Sequence, residues 1–224
     1  MPSMTDVQTL SFAGLKQRLR EQGNGFDQRH STRLHRALSW LQAAEHQADD
    51  ADMQFISAWI GFSACRVAAD DSGSLAEQAD FVHFVEQLVA LDHDEKIYHC
   101  LWHQYSGPVK ALIKNPYVFA PFWQALREEQ GDSRWQLLFN RSSVDVLNYL
   151  SRKKVAPLLG IVLDRLQVLH NQVVGGGTTY RSKINRQQVE DGAALMMTLL
   201  PIMIDIILDA ANHDWGELAY PVVN

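Results

Sequence analysis

The chain is short of cysteine, of strand pattern and of long apolar runs, and each shortage removes a class of protein. Two cysteines in 224 residues, Cys65 and Cys100, lie far apart and read as reduced, buried thiols rather than a disulfide framework. Cys-x-x-Cys and His-Glu-x-x-His are both absent, which removes the familiar zinc signatures. Residues 1–10 lack a basic start followed by an apolar stretch, so they do not read as a secretory signal. No alternating pattern persists over strand lengths, and there is no repeat or low-complexity tract. The most apolar stretch, residues 193–208, is broken by Thr198, Pro201 and Asp205. It is shorter than the ~20 residues a bilayer requires, so it reads as a buried core helix kinked at Pro201. A soluble, all-α, cytoplasmic chain with no membrane partner is the expectation.

What is present is ordinary globular composition, 46% hydrophobic and 21% charged. The length suits one sizeable core. One helical domain is assigned to residues 28–224, and residues 1–27 to an N-terminal extension free to flex. The net charge of −6 argues against a protein that coats nucleic acid indiscriminately, but the charge is unevenly spread. From Ser151 to Arg186, seven basic residues (Arg152, Lys153, Lys154, Arg165, Arg181, Lys183, Arg186) face one acid, Asp164. That segment is +6 and the remainder −12, the pattern of a local phosphate-binding site on an acidic protein.

Hydrophobic spacing sets the helices. Leu34, Leu38 and Leu41 recur at i, i+4, i+7 within 28–47. Acids at 49–52 precede a second helix with a bulky face of Phe55, Ile56, Trp59, Ile60 and Phe62. Residues 70–74 read as a loop, and a third helix runs to about Leu91 with Phe81, Phe84, Val85 and Leu88. A further helix spans about 94–105 and stops at Ser106-Gly107-Pro108. Short elements reach Leu126, 128–133 is a polar loop, and the stretch to about 150 is the hardest to assign. A long helix at 155–174 places Leu158, Leu159, Val162, Leu166 and Leu169 on one side and ends at Gly175-Gly176-Gly177. The last helix starts near Asn185, with Gln188 three residues on.

Three constellations could carry chemistry. His99 and His103 at i, i+4, with His93, Asp92 and Asp94 nearby, could share a metal, but no third ligand has convincing spacing, so no metal is assigned. The triple glycine follows a helix and lacks a Gly-Lys-Ser/Thr ending, so it reads as a helix cap rather than a phosphate loop. The third is Arg165-Leu166-Gln167-Val168-Leu169-His170-Asn171-Gln172-Val173-Val174-Gly175-Gly176-Gly177-Thr178.

That segment resembles the signature of HEPN proteins of the ApeA-like group, in which an Arg-Asn pair is followed by a histidine and glycines near the end of a long helix. Further stretches share the resemblance: Arg36 to Leu41, Phe55 to Phe62, Ser106-Gly107-Pro108, Tyr117 to Trp123, Val189-Glu190-Asp191-Gly192, Asp214-Trp215-Gly216-Glu217 and Tyr220 to Val223. Together they cover the chain from about residue 33 onward. The resemblance implies an HEPN-type helical bundle with additional helices, pairing as a homodimer through the motif helix. It also implies a metal-independent endoribonuclease of toxin or defence type that needs no cofactor. Such cleavage needs a histidine to move protons and a fixed guanidinium for the phosphoryl charge.

This chain departs from that pattern at both chemical positions. His170 stands where the family has arginine, Asn171 is kept, and Gly175 stands where the family has histidine. Histidine is shorter than arginine and largely neutral at pH 7, and glycine has no side chain. A second register, Arg165 with His170, has the right separation, but Leu166 follows Arg165 where a polar residue is expected. The site residues are therefore His170, Asn171 and Gly175 at the catalytic positions, with Arg165, Arg181, Lys183 and Arg186 as RNA-binding candidates. Two functions follow. One is an impaired ribonuclease that retains its RNA cleft, and the other is a non-catalytic module that binds a cognate partner protein or RNA.

Overall fold

The computed structural model describes residues 10–66, 75–128, 134–218 and 220–223. Among these, ten α-helices occur and no strand, so the fold is all-α. The helices are α1 (Phe12–Gln22), α2 (Gln28–Glu45), α3 (Ala51–Cys65), α4 (Leu75–Leu91), α5 (Lys96–His99), α6 (Ser106–Lys114), α7 (Ala120–Arg127), α8 (Arg134–Ser151), α9 (Val155–Val174) and α10 (Arg186–Asp209). A π-helical segment, Cys100–Gln104, continues α5, and Pro116–Val118 is a single 3₁₀ turn. The expected loop at 70–74 and most of that at 128–133 lie outside the described residues.

Side-chain caps explain why several helices start where they do. Ser11 accepts from the Gly14 amide, Asp27 from that of His30 at 2.7 Å, and Asp50 from that of Met53 at 3.2 Å. Each cap satisfies one of the four amides a helix start leaves orphaned. α6 begins at Ser106, where the sequence suggests a stop. Pro108 sits in its first turn, the part of a helix that needs no amide donor.

The chain divides into two compact units, residues 1–96 with 193–224, and residues 97–192. The sequence reading places 28–224 in one domain. No composition break marks either boundary, and the second falls inside α10. In the first unit α2 packs on α3, burying Leu34, Ala37, Leu38 and Leu41 with Phe55, Ala58 and Phe62. Each buried leucine or phenylalanine contributes about 2 kcal/mol. Part of the stretch assigned to a flexible extension is also packed. On α1, Leu15 and Leu19 are buried, and Arg18 pairs with Asp205 and Asp209. Two leucines at i, i+4 are too few to stand out against the polar sequence around them.

The C-terminal Asp214-Trp215-Gly216-Glu217 is held by α2. The buried Arg33 guanidinium donates to the Trp215 carbonyl at 2.9 Å and the Gly216 carbonyl at 2.7 Å, while Trp215 lies edge-on to Phe84. α10 has 24 residues, more than the apolar run suggests, and is by length and composition able to cross a membrane. Most of it is buried inside the protein, as a core helix is, with Pro201 inside it.

Candidate functional site

The second unit is built on α9, whose bounds are those the sequence predicts. Leu158, Leu159, Val162, Leu163, Leu166 and Leu169 are all buried, and α6, α8 and the 3₁₀ turn pack against it. The apolar face of this helix, through which the family resemblance implies pairing, is taken up within the unit. Charge divides along the same boundary. Residues 97–192 hold twelve Lys and Arg against seven Asp and Glu, a net +5, which leaves −11 on the first unit.

The glycines after α9 close it in a Schellman motif. The Gly177 amide donates to the Gln172 carbonyl at 2.8 Å and the Gly176 amide to that of Val173 at 3.4 Å. Gly176 supplies the left-handed residue, with φ +70°. Gly175 is constrained differently. A Cβ placed there would lie 2.6 Å from the Asn171 carbonyl oxygen, which also accepts the Gly175 amide at 2.9 Å. Any side chain at 175 therefore requires the helix end to open.

His170 and Asn171 are brought together, with Nδ1 and Oδ1 3.4 Å apart. His170 is half-buried and Asn171 exposed. Burial pushes His170 below the ordinary histidine value, and the bond to Asn171 opposes only part of that. The ring is thus mostly neutral at pH 7 and does not stand in for a guanidinium. On the next residue, Gln172 Nε2 donates to the Tyr117 carbonyl at 2.5 Å, and Trp123 Nε1 donates to the same oxygen at 2.6 Å.

Arg165 is placed elsewhere. It is 1% exposed, with its guanidinium 4.1 Å from the Phe119 ring centre and 5.8 Å from that of Phe139. Nη2 donates to the Ser142 hydroxyl at 3.1 Å, and Nη1 is 3.7 Å from Asp164. Burial lowers its pKa, partly offset by Asp164. This arginine is a core anchor and does not reach a surface ligand. Of the other basic candidates, Arg181 and Lys183 are exposed in the loop after α9, and Arg186 pairs with Glu190 at 3.3 Å. Arg181 lies 5.2 Å over the Tyr180 ring, and Tyr180 is itself largely exposed.

Two features escape the sequence reading. The aromatics of 117–123 support α9, through the Phe119 ring under Arg165 and the Tyr117 carbonyl at Gln172. The histidines at 99 and 103 belong to a ring cluster with Tyr98 and Trp102. Among the described residues no three His, Cys, Asp or Glu side chains converge as a metal set. No family model matches the sequence, and no curated protein or solved structure matches the chain.

Proposed function

We propose that the chain is an RNA-binding protein on an HEPN-type ribonuclease scaffold that has lost its cleaving groups, acting in the cytoplasm in a toxin or defence setting. The charge division carries this reading. An acidic protein that concentrates +5 on one unit has a local affinity for polyanions without coating them indiscriminately. The RNA contact is the end of α9 and the loop after it, where Asn171, Tyr180, Arg181 and Lys183 are all exposed. Tyr180 offers a ring for a base, and the two cations meet phosphates. His170, lowered in basicity, and Gly175, without a side chain, leave the motif positions without a guanidinium and without the family's histidine.

One sample assayed for both single-stranded RNA binding and cleavage tests this. Binding that weakens as salt rises, without cleavage, is the expected result. Arg181→Glu with Lys183→Glu should abolish most of the affinity, and affinity unchanged in that variant removes the site.

A protein partner is the second reading, and α8 favours it. Leu137, Val144 and Leu147 recur along this helix and are 70%, 57% and 65% exposed. An apolar stripe of this kind suits a helix from a second copy or a cognate partner. With the α9 face used internally, a homodimer would rest on this stripe. Light scattering at micromolar concentration, repeated on Leu137→Glu/Leu147→Glu, separates a dimer from a monomer.

A further inference from the structure

α8 ends in the same Schellman geometry as α9, but with lysine in the left-handed position. The Lys154 amide donates to the Tyr149 carbonyl at 2.9 Å and the Lys153 amide to that of Leu150 at 3.5 Å, with Lys153 at φ 52°. α9 uses Gly176 at the equivalent place. A side chain with a Cβ is strained there, and glycine would close the turn at lower cost.

The strained lysine holds its Nζ 5.1 Å from the centre of the Tyr98 ring. An exposed cation–π contact returns no more than that strain costs, so folding stability does not account for the lysine. Tyr98 belongs to a ring cluster. Its centroid is 4.9 Å from Trp102 and 5.4 Å from His103, and the rings of His99 and His103 are 5.2 Å apart. Trp102 is fixed by donating Nε1 to the Leu150 carbonyl at 3.2 Å. The cluster straddles α5 and the π-helical turn 100–104, which holds Trp102 and His103, a local irregularity that recurs at functional sites. His99 and His103 are exposed, as are Arg152, Lys153 and Lys154.

Arg181, at φ 53°, repeats the arrangement with its guanidinium over Tyr180. The cations of the two tyrosine–cation pairs, Lys153 and Arg181, thus come after the C-terminal ends of consecutive helices, one before α9 and one after it. The 20 residues of α9 set its ends roughly 30 Å apart.

We propose that Tyr98, His99 and His103, with Arg152, Lys153 and Lys154, form a second contact site for single-stranded RNA. A base stacks on the exposed His99 and His103 rings beside the half-buried Tyr98, and the three cations take the adjoining phosphates. This rests on the reading of the second unit as RNA-binding, but uses the opposite end of α9.

The test is fluorescence anisotropy with a labelled oligouridylate of about 15 nucleotides, a length within single-strand site sizes. Lys153→Gly keeps the left-handed turn and removes the cation, so the protein should remain as stable as before. Affinity should fall several-fold, with a shallower dependence on salt. Adding Tyr98→Leu should bring the loss to roughly tenfold or more. Arg181→Glu/Lys183→Glu is measured in parallel. If Lys153→Gly and Lys153→Gly/Tyr98→Leu are folded and bind as the parent does, the second site is overturned. A loss in the Arg181/Lys183 variant would then leave the first reading standing. If only the Tyr98/Lys153 changes weaken binding, the second site stands and the contact at the end of α9 falls. A parent protein that binds no RNA overturns both.

Discussion

The guanidinium of Arg165 lies 4.1 Å from the centre of the Phe119 ring, which ties α9 to the segment before α7 inside the second unit. Its Nε and Nη1 are buried without a hydrogen-bond partner. A buried, partly satisfied charge contributes less than its contacts suggest, and an apolar side chain of similar length can do as well. Arg165→Met should therefore unfold in urea within about 1 kcal/mol of the parent. Arg165→Ala, which leaves a void beside Phe119, should cost about 2–4 kcal/mol. RNA affinity should be the same in folded Arg165→Met, and a large loss there would mean that the guanidinium reaches the ligand after all.

Three glycines on or after α9 should respond to alanine with different signs. Gly160 has open space where a Cβ would go, and lies inside the helix, so Gly160→Ala should stabilise by about 0.5–1 kcal/mol. Gly175→Ala forces a Cβ against the Asn171 carbonyl and should destabilise by about 1–3 kcal/mol. Gly176→Ala, at φ +70°, should lose about 1–2 kcal/mol. Thermal melting of the three variants reads these signs directly.

Restoring the family pattern tests the ribonuclease ancestry. His170→Arg with Gly175→His should gain metal-independent cleavage that leaves a cyclic phosphate, whereas each single change should gain little, because both groups serve one transition state. The clash at 175 makes stability the first measurement. A double variant that melts near the parent temperature, binds RNA and still leaves it intact would argue for the interaction module.

Stability should fall as the medium is acidified below pH 6.5. Burial lowers the pKa of His30, with Arg33 adding to the effect, and burial likewise lowers His35 and His170. A histidine depressed in the folded state binds its proton more readily once unfolded, so ΔG of unfolding rises with pH across that window and drops below it. His30 is 3% exposed, edge-on to Phe26 at 4.8 Å. His30→Leu should flatten the profile between about pH 7 and 5 in urea titrations, and a slope as steep as the parent's would exclude His30 as a source.

Much of the helical framework is legible in the sequence. The period of Leu158, Leu159, Val162, Leu166 and Leu169 sets α9, and the glycines set its end. α8 is hard to read because it buries only Val146 among the described residues and exposes Leu137, Val144 and Leu147. Its half-buried side mixes aromatics with serines (Trp135, Phe139, Ser142, Ser143), so the spacing of leucine and valine does not mark the packed face. The π turn is hidden for another reason, since residues 94–105 read as ordinary helix and the extra residue per turn has no composition marker.

The candidate site divides in the same way. Residue identity alone determines that 170 lacks a guanidinium, that 175 lacks a proton donor, and that the basic residues gather between 151 and 186. These are matters of covalent chemistry and charge count, which no fold can change. Only the tertiary structure separates the cations by role. Arg165 and Arg181 have the same side chain, yet one is sealed over Phe119 and the other lies exposed over Tyr180. Position on the helix decides between them. At 165 the side chain leaves α9 towards its packed neighbours, whereas 181 lies beyond the glycines, where the backbone has already turned away from the core.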